Sequence, residues 1–227
     1  MPSVLITGAN RGLGLEFARQ YAAEGWRVIA ACRDPAKAHD LRGLKGSLEI
    51  LALDVTDKHS VGNLVDALGT STIDVLLLNA GVHLQKDCSL EALNEELWQR
   101  EFNVNVIAPL LLARRLADSV ARSDLRRIVA ISSGSGSIQN MKAGGNHAYR
   151  ACKAALNASM KILASDLASR GVTVVPIAPG HTRTDMGGSI APYTAEDSVT
   201  RVRGAIGRLT FKDSGTFLSR DGTPLPW

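Results

Sequence analysis

The N-terminal sequence Ser3-Val4-Leu5-Ile6-Thr7-Gly8-Ala9-Asn10-Arg11-Gly12-Leu13-Gly14 runs from an apolar segment into a turn that contains three glycines. Residues 3–6 are typical of a buried parallel strand, and the amphipathic residues 15–23 are typical of a helix. Glycines allow a tight turn close to a ligand, and a helix N-terminus offers unpaired N–H groups to a pyrophosphate. This strand, turn and helix predict a dinucleotide-binding fold, although the spacing is GxxxGxG rather than GxGxxG. A tight turn without a ligand is the alternative.

Beyond residue 23, apolar runs and helical patterns alternate along the chain with short connections. The runs predict strands two to six at residues 27–31, 48–53, 74–78, 127–131 and 172–177. The helical patterns fall near residues 60–68, 90–102, 104–122 and 147–169. Such alternation predicts one doubly wound, Rossmann-type α/β domain over residues 1–227. In a sheet of this kind the ligand lies beyond the carboxyl ends of the strands.

Tyr149 and Lys153 are four residues apart in a predicted helix, so their side chains share one face. A phenol has an unperturbed pKa of about 10 and exchanges protons poorly near neutral pH. A nearby cation favours the phenolate and lowers that pKa, which brings the tyrosine into the range used in acid–base catalysis. The pair therefore indicates a proton-transfer site, and an exposed helix surface is the alternative.

Several further motifs, in chain order, resemble those of the short-chain dehydrogenase/reductase family. They are TGxxxGxG at residues 7–14, Asp54-Val55, Asn79-Ala80-Gly81, Asn105 in Asn103-Val104-Asn105, Ser133 in Ser132-Ser133-Gly134, and Pro179-Gly180 followed by Thr184. Residues 184–188 and 221–227 resemble the compact carbonyl reductases of the sniffer and C-factor type. The resemblance implies a mostly parallel sheet of seven strands and an oxidoreductase that transfers a hydride between a nicotinamide and a carbonyl or alcohol.

The resemblance also implies the roles of individual residues. Tyr149 is the general acid or base, Ser133 donates a hydrogen bond to the substrate oxygen, and Lys153 binds the nicotinamide ribose. Asn105 holds a water that links Lys153 to solvent, or it satisfies broken helix hydrogen bonds, and the two roles are compatible with each other. The implied cofactor-binding residues are Gly8, Asn10, Arg11, Gly12, Leu13, Gly14, Arg33, Asp54, Val55, Asn79, Ala80, Gly81, Tyr149, Lys153, Pro179, Gly180, Thr182 and Thr184.

Two arginines bear on the choice between NADP(H) and NAD(H). Arg33 lies just beyond the second predicted strand, where an acidic residue would bind a free ribose 2′-hydroxyl and an arginine accommodates a 2′-phosphate. Arg11, in the glycine turn, supports the same choice, because a guanidinium binds phosphate bidentately. These residues favour NADP(H). If the strand register slips, Asp34 becomes the ribose ligand and NAD(H) is preferred.

Composition narrows the possible partners and location. The 227 residues carry a net charge of +4, and their paired arginines lack the interleaved aromatics of nucleic-acid sites, so no nucleic-acid partner is expected. No apolar stretch reaches 18 residues, which predicts no membrane span, and the first strand starts too early for a signal peptide. Cys32, Cys88 and Cys152 have no metal-ligand spacing. They suit free thiols in a reducing compartment, so a metal-free cytoplasmic protein is predicted.

Substrate identity and assembly are less constrained. Residues 179–193 predict a loop over an open pocket for aldehydes, ketones or quinones, and His83, His147 and His181 are either loop residues or substrate contacts. Small residues at 151, 154, 155 and 158 and leucines at 110–112 and 116 suggest a homodimer or homotetramer, or else simple packing on the sheet. An NADP-binding sensor or signalling protein on the same fold is the second functional class, and an NAD-dependent alcohol dehydrogenase is a third option. Such a sensor would be expected to lose Tyr149, Lys153 or Ser133.

Overall fold

The computed structural model describes residues 1–227 and contains one seven-stranded sheet in which every neighbouring pair of strands is parallel. The strands are β1 Ser3–Thr7, β2 Arg27–Cys32, β3 Leu48–Ala52, β4 Val75–Leu78, β5 Arg127–Ile131, β6 Thr173–Ala178 and β7 Leu218–Ser219. Their order across the sheet is β3-β2-β1-β4-β5-β6-β7. The predicted doubly wound α/β fold is confirmed.

Helices cover both faces of this sheet. They are α1 Gly12–Ala23, α2 His39–Arg42, α3 Lys58–Leu68, α4 Glu95–Phe102, α5 Ala108–Ala121, α6 His147–Asp166 and α7 Ala195–Arg208. A π-helical turn, Asn103–Ile107, joins α4 to α5, and short 3-10 turns occur at Pro35–Lys37, Gly134–Gly136, Ala168–Arg170 and Phe211–Asp213. None of the helices combines the length and apolar character needed to cross a membrane.

The two faces of the sheet form separate apolar layers because alternate residues of a strand point to opposite sides. Val4 and Ile6 of β1 pack with residues of α1 and α7, whereas Leu5 packs with residues of α3, α5 and α6. All five residues of β1 are buried. The continuous apolar run that predicted this strand therefore reflects burial on both faces, as is usual for parallel sheets.

The structure corrects several predicted boundaries. Helix α4 begins at Glu95, not near residue 90, and the predicted helix 104–122 starts as a π-helical turn. The sequence reading also missed α2 and α7, and it did not locate β7. Asn94 explains the late start of α4, since its side chain accepts a hydrogen bond from the Leu97 N–H and caps the helix.

Candidate active site

The carboxyl ends of the strands bring the predicted site residues to one edge of the sheet. Gly8 follows β1, Arg33 follows β2 and Asn79 follows β4. Ser133 and Gly180 each lie two residues beyond β5 and β6. The strand order reverses between β1 and β4, and open α/β sheets bind ligands outside the carboxyl ends at such a switch point. The fold alone therefore marks this edge as the candidate site.

The glycine turn after β1 is packed too tightly for side chains. Gly8 and Gly12 have φ of 65° and 54°, in the left-handed region that glycine tolerates. A Cβ on Gly14 would overlap the Gly8 carbonyl oxygen and come 2.6 Å from Nδ2 of Asn79. That Nδ2 donates to the carbonyl oxygens of Thr7 and Gly8 at 2.9 and 3.2 Å. Asn79 thus ties the turn after β1 to the turn after β4.

Tyr149 and Lys153 lie one turn apart at the start of α6, beside Ser133. Nζ of Lys153 is 5.7 Å from the centre of the Tyr149 ring and donates a hydrogen bond to the Ile131 carbonyl oxygen at 2.9 Å. The Ser133 side chain lies close enough to the Tyr149 phenol to lower its pKa. Ser133 also accepts a hydrogen bond from the Ser135 N–H at 3.1 Å, which fixes its orientation. The structure therefore brings the phenol, the hydroxyl and the ammonium together.

Burial acts on this pair in opposite directions. It raises the pKa of Tyr149 to about 12, and the nearby Ser133 side chain offsets only part of this effect. Burial also lowers the pKa of Lys153 to about 8. The Tyr149 pKa is therefore raised and not lowered as the sequence led us to expect, because desolvation of the phenolate is the largest influence on it and Lys153 is not among the groups that shift it.

Asn105 is buried in the π-helical turn, and its side chain contacts the loop after β4. Its Oδ1 accepts a hydrogen bond from the Val82 N–H at 2.9 Å, and its Nδ2 donates to the Val82 carbonyl oxygen at 2.8 Å. The side chain therefore acts as a clamp on Val82. These hydrogen bonds go to the loop after β4 rather than to open helix groups, and they hold that loop beside Lys153, while the water-holding role of Asn105 remains a prediction.

The end of β2 separates the two cofactor alternatives. The strand ends at Cys32, so Arg33 is the first residue beyond it and is exposed. Asp34 caps the following 3-10 turn by accepting a hydrogen bond from the Ala36 N–H at 3.0 Å, and it pairs with Lys37 at 3.0 Å. The register slip that would make Asp34 a ribose ligand is absent, and its carboxylate is engaged locally.

Asp54, two residues beyond β3, is anchored by Thr56. One carboxylate oxygen accepts hydrogen bonds from the Thr56 N–H and hydroxyl at 2.9 and 2.7 Å. These bonds, with a contribution from the charge of Arg33, lower the pKa of Asp54. Asp54 and Arg33 are therefore close enough to interact at the far end of the candidate cofactor site.

The loop after β6 closes against the glycine turn. The Arg11 guanidinium lies 3.1 Å from the Asp185 carboxylate, and the side chain of Thr184 stands 3.5 Å from where a Cβ on Gly12 would lie. Thr182 is buried, and its hydroxyl contacts Ser198 at 2.8 Å and donates to the Gly180 carbonyl oxygen. The hydroxyl of Thr182 is therefore engaged within the protein.

The three histidines considered from sequence occupy different environments. The His83 ring stacks on Tyr149, with ring centres 4.3 Å apart and planes inclined by 23°. His147 begins α6, and Nε2 of His181 lies 2.8 Å from the Gly187 carbonyl oxygen within its own loop. His83 therefore belongs to the site, and its position two residues after Asn79-Ala80-Gly81 was the signal that pointed there.

Glu101 is a residue that sequence reasoning missed altogether. It is completely buried, one turn before Asn105, although glutamate is rarely buried in full. Oε2 accepts a hydrogen bond from the Leu84 N–H at 3.3 Å, and Oε1 has no hydrogen-bond partner. A charged residue in an amphipathic helix is normally solvated, so the sequence offered no signal for this one.

Comparisons with known proteins match this geometry. Residues 2–194 match the short chain dehydrogenase family. The C-signal protein of Myxococcus xanthus is 35% identical over 70% of this chain and 95% of its own length. The structure of the carbonyl reductase Sniffer of D. melanogaster is 33% identical with a TM-score of 0.92, and the alignment covers all of both chains. An NADPH-bound carbonyl reductase from chicken fatty liver is 31% identical, with a TM-score of 0.89 over 100% of this chain and 99% of that one.

The chain therefore belongs to the short-chain dehydrogenase/reductase family, a family of oxidoreductases. The family resemblance inferred from its motifs is confirmed, including the likeness to sniffer-type carbonyl reductases.

Proposed function

We propose that this protein is an NADPH-dependent carbonyl reductase in which Tyr149 is the proton donor. The observation that carries this proposal is the grouping of the Tyr149 phenol with the buried ammonium of Lys153, 5.7 Å from its ring centre, and with the nearby Ser133 hydroxyl. The full catalytic set proposed is Asn105, Ser133, Tyr149 and Lys153.

NADPH, when bound, supplies the hydride that attacks the carbonyl carbon. Tyr149 gives its proton to the carbonyl oxygen as negative charge develops there. With a pKa of about 12 the phenol is protonated at neutral pH, which is the form that reduction requires. Ser133 donates a second hydrogen bond to the same oxygen and stabilises its charge, as an oxyanion-hole donor does. Lys153, with a pKa of about 8, is mostly charged at neutral pH, and its ammonium would bind the nicotinamide ribose hydroxyls.

The residues present fit a dinucleotide with a 2′-phosphate. The glycine turn is tightly packed, since a Cβ on Gly14 would overlap backbone. Such a turn leaves the first N–H groups of α1 accessible to a pyrophosphate. The exposed Arg33 supplies a positive charge for the 2′-phosphate, while Asp34 is engaged with Ala36 and Lys37. The relative from chicken fatty liver is described as NADPH-bound, which supports the same cofactor here.

Aldehydes, ketones and quinones are the proposed substrates. The loop after β6 is held at its base, where the Arg183 N–H donates to the Tyr193 carbonyl oxygen at 2.8 Å. Its tip is open, since Ile190 is 91% exposed. An apolar, exposed tip next to the site suits varied carbonyl compounds more than one tightly enclosed substrate.

The test is the rate of NADPH oxidation by the wild-type protein with a panel of quinones, aromatic aldehydes and ketones. We expect turnover above the carbonyl-free blank for at least one class, and a lower rate with NADH. Tight NADPH binding without turnover across the panel would contradict the reductase.

That outcome would favour the second candidate, a cofactor sensor. The specific observation behind it is the similarity to the C-signal protein, whose name denotes a signal. In a sensor, NADPH binding would change the conformation of the loop after β6, and neither Ser133 nor Tyr149 would need to react. Limited proteolysis of residues 181–193 with and without NADPH distinguishes the two candidates.

A further inference from the structure

The buried carboxylate of Glu101 has a place in the site that the proposed mechanism does not use. Glu101 and Asn105 are four residues apart, so they lie on the same side of the helical segment that runs from α4 into the π-helical turn. Asn105 holds both polar groups of the Val82 backbone, and Glu101 holds the Leu84 N–H. Two side chains of one helical face therefore pin the segment that carries His83.

His83 contacts the catalytic Tyr149, so the position of this pinned segment affects the position of the tyrosine ring. Its ring lies between the two pinned residues in sequence and stacks on Tyr149 at 4.3 Å between ring centres. Burial lowers the pKa of His83, which favours the neutral imidazole, and its Nε2 is buried without a hydrogen-bond partner. The ring therefore contacts Tyr149 by packing, and the backbone bonds to Asn105 and Glu101 hold it there.

We propose that Glu101 is a positioning residue of the active site, which pins the loop bearing His83 and places a negative charge behind Tyr149 and Lys153. This inference rests on the proposed function, because it assigns Glu101 a role in that reaction. Helix α6 packs against α4, so the Glu101 charge acts on the titratable groups of α6, which are Tyr149, Cys152 and Lys153.

The electrostatics of these groups agree in direction. Burial raises the pKa of Glu101, and the Leu84 amide and the charge of Lys153 oppose that rise. The Glu101 charge in turn raises the pKa of Lys153, Tyr149 and Cys152, although burial is the largest influence on each. Reduction needs a protonated Tyr149 and a charged Lys153, so Glu101 extends the active pH range upward.

The test is an NMR titration of the Lys153 side chain in the ligand-free protein, with the signal assigned by its loss in Lys153→Met. We expect Glu101→Gln to lower the Lys153 midpoint by roughly half a unit to one unit, since it removes the charge but keeps an acceptor for Leu84. Glu101→Asp, which retains the charge, should restore the midpoint most of the way. The matched control is Glu96→Gln, an exposed glutamate of the same helix, which should not shift it.

An unchanged Lys153 midpoint in Glu101→Gln would overturn the proposal. If that variant does not fold, the Glu101 carboxyl signal of the wild type decides, because a midpoint equal to that of the exposed glutamates would also overturn it. Neither readout requires turnover. A failure of this inference is therefore distinguishable from a failure of the proposed reductase activity. In an active enzyme, the alkaline limit of kcat/KM for the carbonyl substrate should shift down with the Lys153 midpoint.

Discussion

At the scale of single residues, Lys153 is held in an environment that disfavours its own charge. It is 6% exposed, and burial lowers its pKa to about 8 from the ordinary lysine value of 10.5. The unfolded chain therefore binds this proton more tightly than the folded one. Burial of the charged ammonium lowers the free energy of unfolding by its full amount below pH 8, and this loss disappears as the pH rises past 10.5. The contribution of Lys153 to the free energy of unfolding therefore increases between these two pH values.

Lys153→Met should remove this dependence. The unfolding free energy of the wild type, relative to Lys153→Met, should rise by about 2 to 4 kcal/mol between pH 7 and pH 10.5, because each pKa unit corresponds to about 1.4 kcal/mol. Urea unfolding at a series of pH values measures it. Lys45→Met, at an exposed position, is the control and should leave the pH dependence unchanged. A pH-independent difference between wild type and Lys153→Met would show that Lys153 is not desolvated.

Arg33 decides the proposed cofactor preference. Arg33→Asp should weaken NADPH binding by about 10- to 100-fold, because a hydrogen bond to a charged group contributes about 1.5–3 kcal/mol. It should also raise the use of NADH, since an acidic residue at this strand end accepts bonds from a free 2′-hydroxyl. Fluorescence titration with both cofactors measures the change.

Lys45→Asp is the matched charge reversal for this experiment, on an exposed loop outside the site. It should leave both affinities close to those of the wild type. Equal NADPH affinities for wild type and Arg33→Asp would remove the argument for a 2′-phosphate site at this position.

At the scale of elements, the turn between β1 and α1 depends on close approach at Gly14. Gly14→Ala places a methyl group against the Gly8 carbonyl and the Asn79 amide, and such overpacking costs about 1–3 kcal/mol. Gly62→Ala is the matched control. Gly62 lies in α3, where an added methyl group would meet no neighbouring element within 4 Å. Gly62→Ala should therefore raise the free energy of unfolding by roughly 0.5–1 kcal/mol. Chemical denaturation measures both, and a neutral Gly14→Ala would contradict the close packing.

Six of the seven strands were predictable from sequence, whereas β7 and the helices α2 and α7 were not. β5 was predicted at its observed bounds, and the other five predicted strands were off by one residue at one or both ends, because strands buried on both faces read as continuous apolar runs. β7 has only two residues and no pattern to detect. Helix α7 spaces Val199, Val202 and Ile206 among charged residues, so its core-facing stripe was not recognised as a helix.

At the scale of the whole molecule, the gathering of Gly8, Ser133 and Gly180 at one edge was predictable because parallel strands share their carboxyl ends. The pKa shifts of Tyr149 and Lys153 were not, since desolvation depends on what packs around α6 and not on the four-residue spacing. The burial of Glu101 could not be predicted from sequence for the same reason. Motifs therefore located the site, and tertiary packing determined its electrostatics.

The exposed faces of α5 and α6 support the prediction of a homodimer or homotetramer. Leu111 is 38% exposed, and Ile162 is 63% exposed and continues the stripe of small residues that includes Ala151 and Ala158. We expect light scattering to give at least twice the 24.1 kDa of one chain, and Leu111→Glu or Ile162→Glu to reduce it to one chain. Phe211 is 50% exposed and lies outside these two helices, so Phe211→Glu should leave the measured mass unchanged. A monomeric wild type at micromolar concentration would refute this assembly.

The central claim is that Tyr149 gives a proton to the substrate of an NADPH reductase. Tyr149→Phe removes only the hydroxyl, and Tyr21→Phe is the matched control, because burial also raises the pKa of Tyr21 to about 12 and Tyr21 lies in α1 with its ring beside Arg203. The measurement is NADPH affinity and carbonyl-dependent NADPH oxidation on the same samples. The account predicts a loss of about 10²- to 10⁴-fold in turnover for Tyr149→Phe, with NADPH binding retained and Tyr21→Phe active. Turnover by Tyr149→Phe at the wild-type rate would contradict it.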